Sequence, residues 1–184
     1  PHRYLFMPHS PNTVEELSEC LAERNSAGSA LAPDSGSTHY YIGATLAREA
    51  EPLDLSQLAG GRFYEPADMV ASFSANTKLS DLQLVLGAEN QRLDIDPGHP
   101  DSTLGGALAI DHFGPRCHGW GTLRDKILGL TYVLADGRII KVGGRVMKNV
   151  AGYDLNKLMI GSLGTLEVVA EVTFRANPKN DTEG

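Results

Sequence analysis

Glycines recur through the segment from Asp101 to Glu167 and are separated by apolar runs of strand or short-helix length. Glycine weakens the interior of a helix or strand, so this many glycines indicate that particular backbone conformations are required here. Glycine permits positive φ and lets the main chain approach another group closely, which suits a large, flat, phosphate-bearing ligand. The glycines concerned are Gly105, Gly106, Gly114, Gly119, Gly121, Gly129, Gly152, Gly161 and Gly164.

A second stretch of small residues, Pro33–Thr38, reads Pro-Asp-Ser-Gly-Ser-Thr. It follows a strand predicted for Ser29–Ala32. A strand that runs into such a loop can present backbone N–H groups to a phosphate. Ordinary turns have the same composition, so the sequence alone leaves that alternative open.

Composition sets the broad class of the chain. A length of 184 residues is enough for one domain with a substantial core, and 41% hydrophobic with 21% charged residues is ordinary for a globular protein. The formal net charge of −7 disfavours a general nucleic-acid binder and a protein that binds anionic membranes. There is no apolar run of transmembrane length and no signal-like N-terminal stretch, so we expect a cytoplasmic protein.

The cysteine pattern predicts neither a disulfide framework nor a metal site. Cys20 and Cys117 lie far apart in sequence and are interpreted as two free thiols. No spacing of cysteine and histidine resembles a zinc site. We therefore expect no metal.

Several elements can be placed before any ligand is considered. A capping box at Thr13–Glu16 predicts a helix. Met69–Ala75 is predicted as a strand, followed by a helix that ends at Gly87. Asp136–Gly137 predicts a two-residue type I′ hairpin turn. The apolar face of the first helix is expected to carry Val14, Leu17 and Leu21.

Two further elements are predicted near the C-terminus. Asp154 is a good N-cap for a helix whose apolar face carries Leu155, Leu158 and Met159. Alternation over Leu166–Phe174 predicts a strand with one more polar face. One face would carry Val168, Ala170, Val172 and Phe174, and the other Glu167, Val169, Glu171 and Thr173.

The order of the motifs identifies a family resemblance. The segments Thr103–Gly106, Gly114–Arg116 and Gly121–Gly129 resemble the FAD-binding domain of the vanillyl-alcohol oxidase / p-cresol methylhydroxylase (PCMH) type. The segments Val146–Leu155 and Gly161–Leu166 are more specific. They are similar to the FAD-binding subunit of bacterial glycolate oxidase and to its D-2-hydroxy-acid dehydrogenase relatives.

The resemblance implies an α+β fold with two lobes, one a small, mostly parallel sheet and the other a larger antiparallel sheet with flanking helices. FAD would lie between them, held without a covalent bond. On this basis residues 1–176 form the FAD-binding domain, with lobes of roughly 1–75 and 76–176, and residues 177–184 are a polar tail.

The same resemblance implies which residues bind the cofactor. The loop Pro33–Thr38 and the turn Thr103–Gly106 would bind the diphosphate, and Val168 would offer main-chain contacts to the adenine end. The predicted cofactor-binding set is Pro33, Ser35, Gly36, Ser37, Thr38, Pro97, Thr103, Leu104, Gly105, Gly106, Gly114, Gly121, Thr122, Asp125, Gly164 and Val168.

Two residues depart from the family pattern. The first loop has a single glycine, Gly36, where relatives carry consecutive glycines. Glu167 stands where a glycine usually follows Gly-Thr-Leu, which puts a carboxylate near an anionic ligand unless it turns to solvent. His112 and Cys117 lie where some relatives link flavin covalently, but surface or packing roles are the interpretation adopted here.

The function implied is an FAD-binding domain or subunit of a complex that oxidises a 2-hydroxy acid such as glycolate or D-lactate. Other subunits and a separate substrate domain are expected to complete it, and any association with a membrane would run through those partners. A non-catalytic subunit that binds FAD for electron transfer or assembly is the main alternative, and a plain α+β domain is the third. Catalytic residues are not identified. Candidates for contacting an anion are His99, Arg116, His118 and Arg124, with solvated loop residues as the alternative. Lys148 and Asn149 either hydrogen-bond the flavin or hold their own loop. Tyr153 is interpreted as a packing residue, with an acid as the alternative.

Overall fold

The computed structural model describes residues 7–38, 42, 49–96, 98–144 and 155–179. The helices are α1 (Val14–Ser26), α2 (Leu79–Gly87), α3 (Leu104–Ala109), α4 (Cys117–Trp120), α5 (Leu123–Lys126) and α6 (Leu155–Met159). The strands are β1 (Leu31–Asp34), β2 (Glu51–Asp54), β3 (Phe63–Glu65), β4 (Val70–Ser74), β5 (Gln91–Arg92), β6 (Ile127–Leu134), β7 (Ile139–Gly143), β8 (Glu167–Arg175) and β9 (Asn177–Pro178).

The strands form one small parallel sheet and one larger antiparallel sheet. β1 and β2 pair in parallel, while the five-stranded sheet has the order β3-β4-β8-β6-β7 with antiparallel neighbours throughout. β5 and β9 make a separate short antiparallel pair. The α+β fold with a small parallel and a larger antiparallel sheet is therefore confirmed.

Helix α1 joins the two sheets. Its start is as predicted, because the Thr13 hydroxyl accepts a hydrogen bond from the Glu16 N–H at 3.1 Å. Leu17 and Leu21 are buried in a cluster with Leu53 of the parallel sheet and Val133 of the antiparallel sheet. Burying each such leucine contributes about 1.5–3 kcal/mol, so this cluster is the main support for the position of the parallel sheet.

The opposite face of the antiparallel sheet carries the larger core. Helices α2 and α3 bury leucines against it, including Leu82 of α2 and Leu104 of α3. Phe73 and Phe174 stack in this core with ring centroids 6.1 Å apart. Because α3 is fixed by this packing, its N-terminal end has a defined position beside the residues that follow β4.

The predicted alternation along β8 is wrong over half of the strand. Val168 and Ala170 pack in the cluster under α1, whereas Val172 and Phe174 pack in the larger core. The register with β6 shifts between Thr131 and Tyr132. An irregularity of this kind inserts a residue in one strand and reverses which face the following side chains take.

The hairpin between β6 and β7 is also different from the prediction. Leu134 donates from N–H to the Arg138 carbonyl at 3.0 Å, which encloses three residues and not two. Of Asp136 and Gly137, only Gly137 has positive φ, at +85°. A type I′ turn needs positive φ at both, so this is the three-residue loop in which a turn is followed by a left-handed glycine.

Helix α6 presents a different face from the one predicted. Leu155 and Leu158 are 40% and 58% exposed, while Asn156 and Met159 are buried. The predicted N-cap, Asp154, lies outside the described residues. Of the helices that the structure describes, none combines the length and apolar composition needed to cross a bilayer.

Candidate functional site

The loop after β1 is held in shape by its own aspartate. The β1 strand extends two residues further than predicted, so Pro33 and Asp34 belong to it. Asp34 accepts hydrogen bonds from the Ser37 N–H at 2.8 Å and from the Ser37 hydroxyl at 2.7 Å. These bonds support the left-handed backbone of Ser37, whose φ is +54°. The loop is therefore ordered before any ligand binds.

The start of α3 uses its N–H groups inside the protein. Leu104 donates to the carbonyl of Thr77 at 2.9 Å, and Gly105 donates to the carbonyl of Ala75 at 2.7 Å. Gly106 donates to the Thr103 hydroxyl at 3.2 Å, which caps the helix. A β-carbon on Gly105 would lie 2.8 Å from that of Ala75. The close approach that Gly105 permits is therefore to Ala75, the residue after β4.

The two predicted diphosphate segments lie against each other. The hydroxyl oxygens of Ser35 and Thr103 are 3.0 Å apart. A β-carbon on Gly36 would lie 2.7 Å from the backbone oxygen of Asp101, so only glycine allows this approach without a shift. Lys78 binds Asp101 at 2.6 Å, and this hydrogen bond lowers the pKa of Asp101. A lysine therefore lies beside the carboxylate that borders the loop.

Two backbone donors in this loop remain unused. Within the part of the chain that the structure describes, the N–H groups of Ser35 and Gly36 have no hydrogen-bond partner. They sit in a loop fixed on both sides, by Asp34 and by Thr103. Unpaired donors in an ordered loop of small residues are what an anionic group needs for binding.

The turn after α6 forms a further wall of this region. Gly161 donates to the Leu108 carbonyl at 3.0 Å and Leu163 donates to the Ala109 carbonyl at 2.8 Å, which fixes the turn to the end of α3. Gly164 has a φ of +69°, and a β-carbon on it would lie 3.7 Å from the Pro33 ring. Predicted site residues distant in sequence, Pro33 and Gly164, are therefore neighbours.

Glu167 does not turn to solvent. Its side chain is buried, with the residue 4% exposed, and it accepts a hydrogen bond from the Ser162 hydroxyl at 2.8 Å. Burial raises the pKa of Glu167, and the bond from Ser162 opposes that change in part. The carboxyl is thus enclosed behind the turn that carries Gly164.

Another group of predicted residues lies on the segment from Gly114 to Asp125. A β-carbon on Gly114 would lie 2.4 Å from that of Asp96, so this glycine allows close packing against Asp96. Gly121 has a φ of +80° and precedes α5. Thr122 donates to Asp125 from its N–H at 2.8 Å and from its hydroxyl at 3.0 Å. These bonds lower the pKa of Asp125 and cap α5.

The side chain of Val168 is buried in the cluster under α1. Only its main chain is left to make the predicted contact with the adenine end of FAD. β4 pairs with β8 only as far as Ser74↔Glu171. Within the described residues, the stretch of β8 before Ala170 therefore has a strand on its β6 side alone. Pro97, Lys148, Asn149 and Tyr153 lie outside the described residues.

The predicted anion-binding side chains are mostly engaged elsewhere. Arg116 pairs with Asp96 at 3.2 Å, and Arg124 donates to the Lys157 carbonyl at 2.9 Å. His99 is exposed and its Nδ1 accepts from the Asp101 N–H, while His118 is exposed on α4. No cluster of residues that could hold a metal occurs in the described ranges.

Sequence reasoning missed the aspartates that organise the site. Asp34 shapes the first loop, and the Asp-Ser-Gly-Ser order is a signal for such a side-chain turn. Asp96 has no local signal, because its partners are distant in sequence. Its carbonyl contacts His112 Nε2 at 2.6 Å, and its carboxylate accepts from the Arg116 N–H at 3.0 Å. His112 is thus in contact with the protein backbone at Asp96, and Cys117 is a free thiol.

Comparison with known proteins places this geometry in a family. The sequence profile of the FAD binding domain matches residues 9–143. The chain belongs to the FAD binding domain family. FAD is accordingly the cofactor of this domain, and the loop after β1 and the start of α3 both lie within the matched residues.

Relatives of this FAD binding domain include oxidoreductases. The chain is 30% identical to glycolate oxidase subunit GlcE of Escherichia coli K12 over 173 residues, which cover 93% of this chain and 48% of the relative. It is 33% identical to a D-lactate dehydrogenase of Archaeoglobus fulgidus over 174 residues, which cover 95% of this chain and 39% of that relative. The chain thus spans less than half the length of these relatives.

The fold of this FAD binding domain also occurs in solved structures. An alkyldihydroxyacetonephosphate synthase aligns with a TM-score of 0.75 at 21% identity, covering 92% of this chain and 31% of that protein. This likeness shows the fold alone. The family match and the relatives named above confirm, at the level of the family, the resemblance drawn from the glycine motifs.

Proposed function

We propose that this chain is the FAD-binding domain of a flavoprotein that oxidises a 2-hydroxy acid of the glycolate or D-lactate class. Membership of the FAD binding domain family supports the cofactor, and the relatives from E. coli and A. fulgidus support the substrate class. We propose that the domain comprises residues 1–176 with the two lobes expected from the resemblance, although the start of the expected tail, β9, pairs with β5. β4 pairs with β8 across the expected lobe boundary, so any two lobes would share the larger sheet.

We propose that the diphosphate binds at the loop after β1. The observation that carries this assignment is the pair of unused N–H donors at Ser35 and Gly36, in a loop fixed by Asp34 and Thr103. The start of α3 would then support the loop and not bind the diphosphate itself, because the N–H groups of Leu104, Gly105 and Gly106 donate within the protein. The hydroxyls of Ser37 and Thr38 and the wall formed by Pro33 and Gly164 remain part of the proposed site.

The remaining predicted contacts are proposed with less direct roles. Gly114 and Gly121 let the segment before α5 lie close to its neighbours, and Thr122 with Asp125 fixes the start of that helix. Main-chain groups of Val168 stay a proposed contact at the open side of β8. Pro97 is proposed from the resemblance alone.

FAD, when bound, supplies the chemistry that accepts a hydride, and the protein binds and orients it. Oxidation of a 2-hydroxy acid also requires positive groups for the substrate carboxylate and a base within hydrogen-bond reach of the hydroxyl. In the described residues, Arg116 and Arg124 already have partners. We therefore propose that these 184 residues bind FAD but do not oxidise the substrate unaided, and that groups outside them complete the substrate site.

A second function is favoured by one observation: the E. coli relative is a subunit of a larger enzyme. This chain would then bind FAD for electron transfer or assembly, with the substrate oxidised elsewhere. A cytoplasmic location, with membrane contact only through partner subunits, stays a prediction.

Flavin reduction tests both functions. FAD binding to the chain alone is measured by fluorescence titration, and the FAD-loaded chain is then mixed anaerobically with glycolate and with D-lactate. We expect one FAD per chain and no bleaching. The complex that copurifies with the tagged chain should bleach with one of the two acids, whereas the subunit alternative predicts that the flavin on this chain is not reduced directly. Rapid bleaching of the chain alone would contradict the proposal that it needs partners.

A further inference from the structure

Glu167 has a buried carboxyl group, and only one of its two oxygens has a hydrogen-bond partner among the described residues. Oε1 accepts from the Ser162 hydroxyl at 2.8 Å, while Oε2 is buried and has no hydrogen-bond partner among the described residues. A buried carboxylate without a compensating donor is costly, and the protonated form costs less because it carries no charge. The geometry therefore favours a neutral Glu167.

A chain of contacts leads from this carboxyl to the proposed site. The Ser162 hydroxyl that donates to Glu167 also accepts from the Gly164 N–H at 3.3 Å. Gly164 lies beside Pro33, at a distance that a methyl group would fill, and Pro33 is on the strand that leads into the loop with the unused donors. The protonation state of Glu167 can thus act on the wall of the site through Ser162.

The surroundings of Glu167 contain few groups that could compensate a charge. Tyr132 on β6 is the titratable neighbour, and its pKa is raised first by burial and then by the charge of Glu167. Burial is the main effect that raises the pKa of Glu167 itself, and the only opposing effect is the bond from Ser162. No described cation enters this balance.

We propose that Glu167 is a positioning residue that links FAD binding to proton uptake. With Glu167 neutral, Ser162 holds Gly164 against Pro33 and the anionic diphosphate is accepted at the neighbouring loop. With Glu167 ionised, the enclosed charge disturbs this turn and repels the diphosphate. By linkage, FAD binding must then favour the protonated form as much as protonation favours binding. This inference rests on the proposed diphosphate site.

The test compares the wild type with Glu167→Gln, which keeps an acceptor for Ser162 but cannot ionise. The FAD dissociation constant is measured by flavin fluorescence from about pH 5 to about pH 9. For the wild type it should rise with pH, by up to about tenfold per unit above the pKa of Glu167. Calorimetry in two buffers of different ionisation enthalpy should detect proton uptake on binding. Both effects should be absent from Glu167→Gln.

Two further variants make the result decisive. Glu65→Gln, an exposed position on β3, should behave like the wild type and accounts for other titrating groups. Ser162→Ala removes the hydroxyl that links Glu167 to Gly164, so FAD binding should weaken and both its pH dependence and its proton uptake should fall below those of the wild type. Equal pH dependence and equal proton uptake in wild type and Glu167→Gln would overturn this inference alone. Absence of FAD binding in the wild type would overturn the proposed site as well.

Discussion

The loop after β1 and the start of α3 are built from similar small residues but use their backbone donors differently. In the loop, the N–H groups of Ser35 and Gly36 have no partner in the described structure. At the start of α3, the N–H groups of Leu104 and Gly105 are bound to Thr77 and Ala75. The loop therefore leaves two donors free for the proposed anionic ligand, whereas the start of α3 uses its donors within the protein.

This difference shows what a glycine pattern can and cannot predict. Glycine signals that the main chain approaches something closely, but not whether that neighbour is ligand or protein. Gly36 lies against the backbone of Asp101 and Gly105 against Ala75, so both approaches are within the protein. The ligand assignment depends on the free donors next to them, which no sequence pattern reports.

The largest effect on FAD is expected from Gly36→Ala. Its methyl group would meet the Asp101 oxygen at 2.7 Å and push the loop away, which displaces the two free N–H donors. Each hydrogen bond to a charged group is worth about 1.5–3 kcal/mol, so losing both should weaken FAD binding roughly 100-fold or more. Fluorescence titration with FAD measures this.

Gly119→Ala is the matched control for that variant. Nothing lies within 4 Å of a β-carbon there, and the glycine is in α4. It should bind FAD like the wild type. If Gly36→Ala also binds like the wild type while folded, the loop after β1 is not the diphosphate site.

A smaller effect on FAD is expected from Gly105→Ala, in which stability should suffer instead. The new methyl group would lie 2.8 Å from the Ala75 β-carbon and 3.0 Å from its carbonyl oxygen. Such overpacking costs about 1–3 kcal/mol, against a gain of at most about 1 kcal/mol from replacing glycine in a helix. Urea unfolding should show a net loss, and FAD binding by the folded fraction should fall much less than in Gly36→Ala.

The opposite outcome would reverse the comparison. If Gly105→Ala unfolds like the wild type but loses FAD, the start of α3 contacts the ligand directly. The roles assigned to Gly36 and Gly105 would then have to be exchanged.

Local signals predicted the elements well where they act within a few residues. The capping box at Thr13 gave the start of α1, because both partners lie within one helical turn. The faces of β8 were predicted wrongly because the register shift at Thr131 depends on pairing with β6. The position of Asp96 under Gly114 likewise depends on contacts that are distant in sequence.

For the candidate site, the sequence predicted the family and two segments that the structure brings together, and the assignment of individual residues to FAD stays a prediction. The glycine motifs and Pro33–Thr38 led to the FAD binding domain family, and the structure brings Ser35 next to Thr103. The burial of Glu167 could not be foreseen, because alternation alone placed it on the more polar face of its strand. In the structure the Glu167 side chain is buried and accepts a hydrogen bond from Ser162 in the preceding turn.

The smallest effect on FAD is expected from Gly137→Ala, which tests a glycine remote from the site. Gly137 has a φ of +85°, and an added methyl group would meet the Ser18 carbonyl oxygen and the Ala22 β-carbon, each at 2.8 Å. Gly28 also has positive φ, at +71°, but with nothing within 4 Å, so Gly28→Ala isolates the conformational cost of about 1–2 kcal/mol. Gly137→Ala should add to this a cost of about 1–3 kcal/mol for the contact with α1.

Urea unfolding should show a larger loss of stability in Gly137→Ala than in Gly28→Ala, and FAD titration of either folded variant should match the wild type. Equal losses of stability would show that the hairpin yields without disturbing α1, and a loss of FAD affinity in Gly137→Ala would mean that α1 transmits the change to the loop after β1.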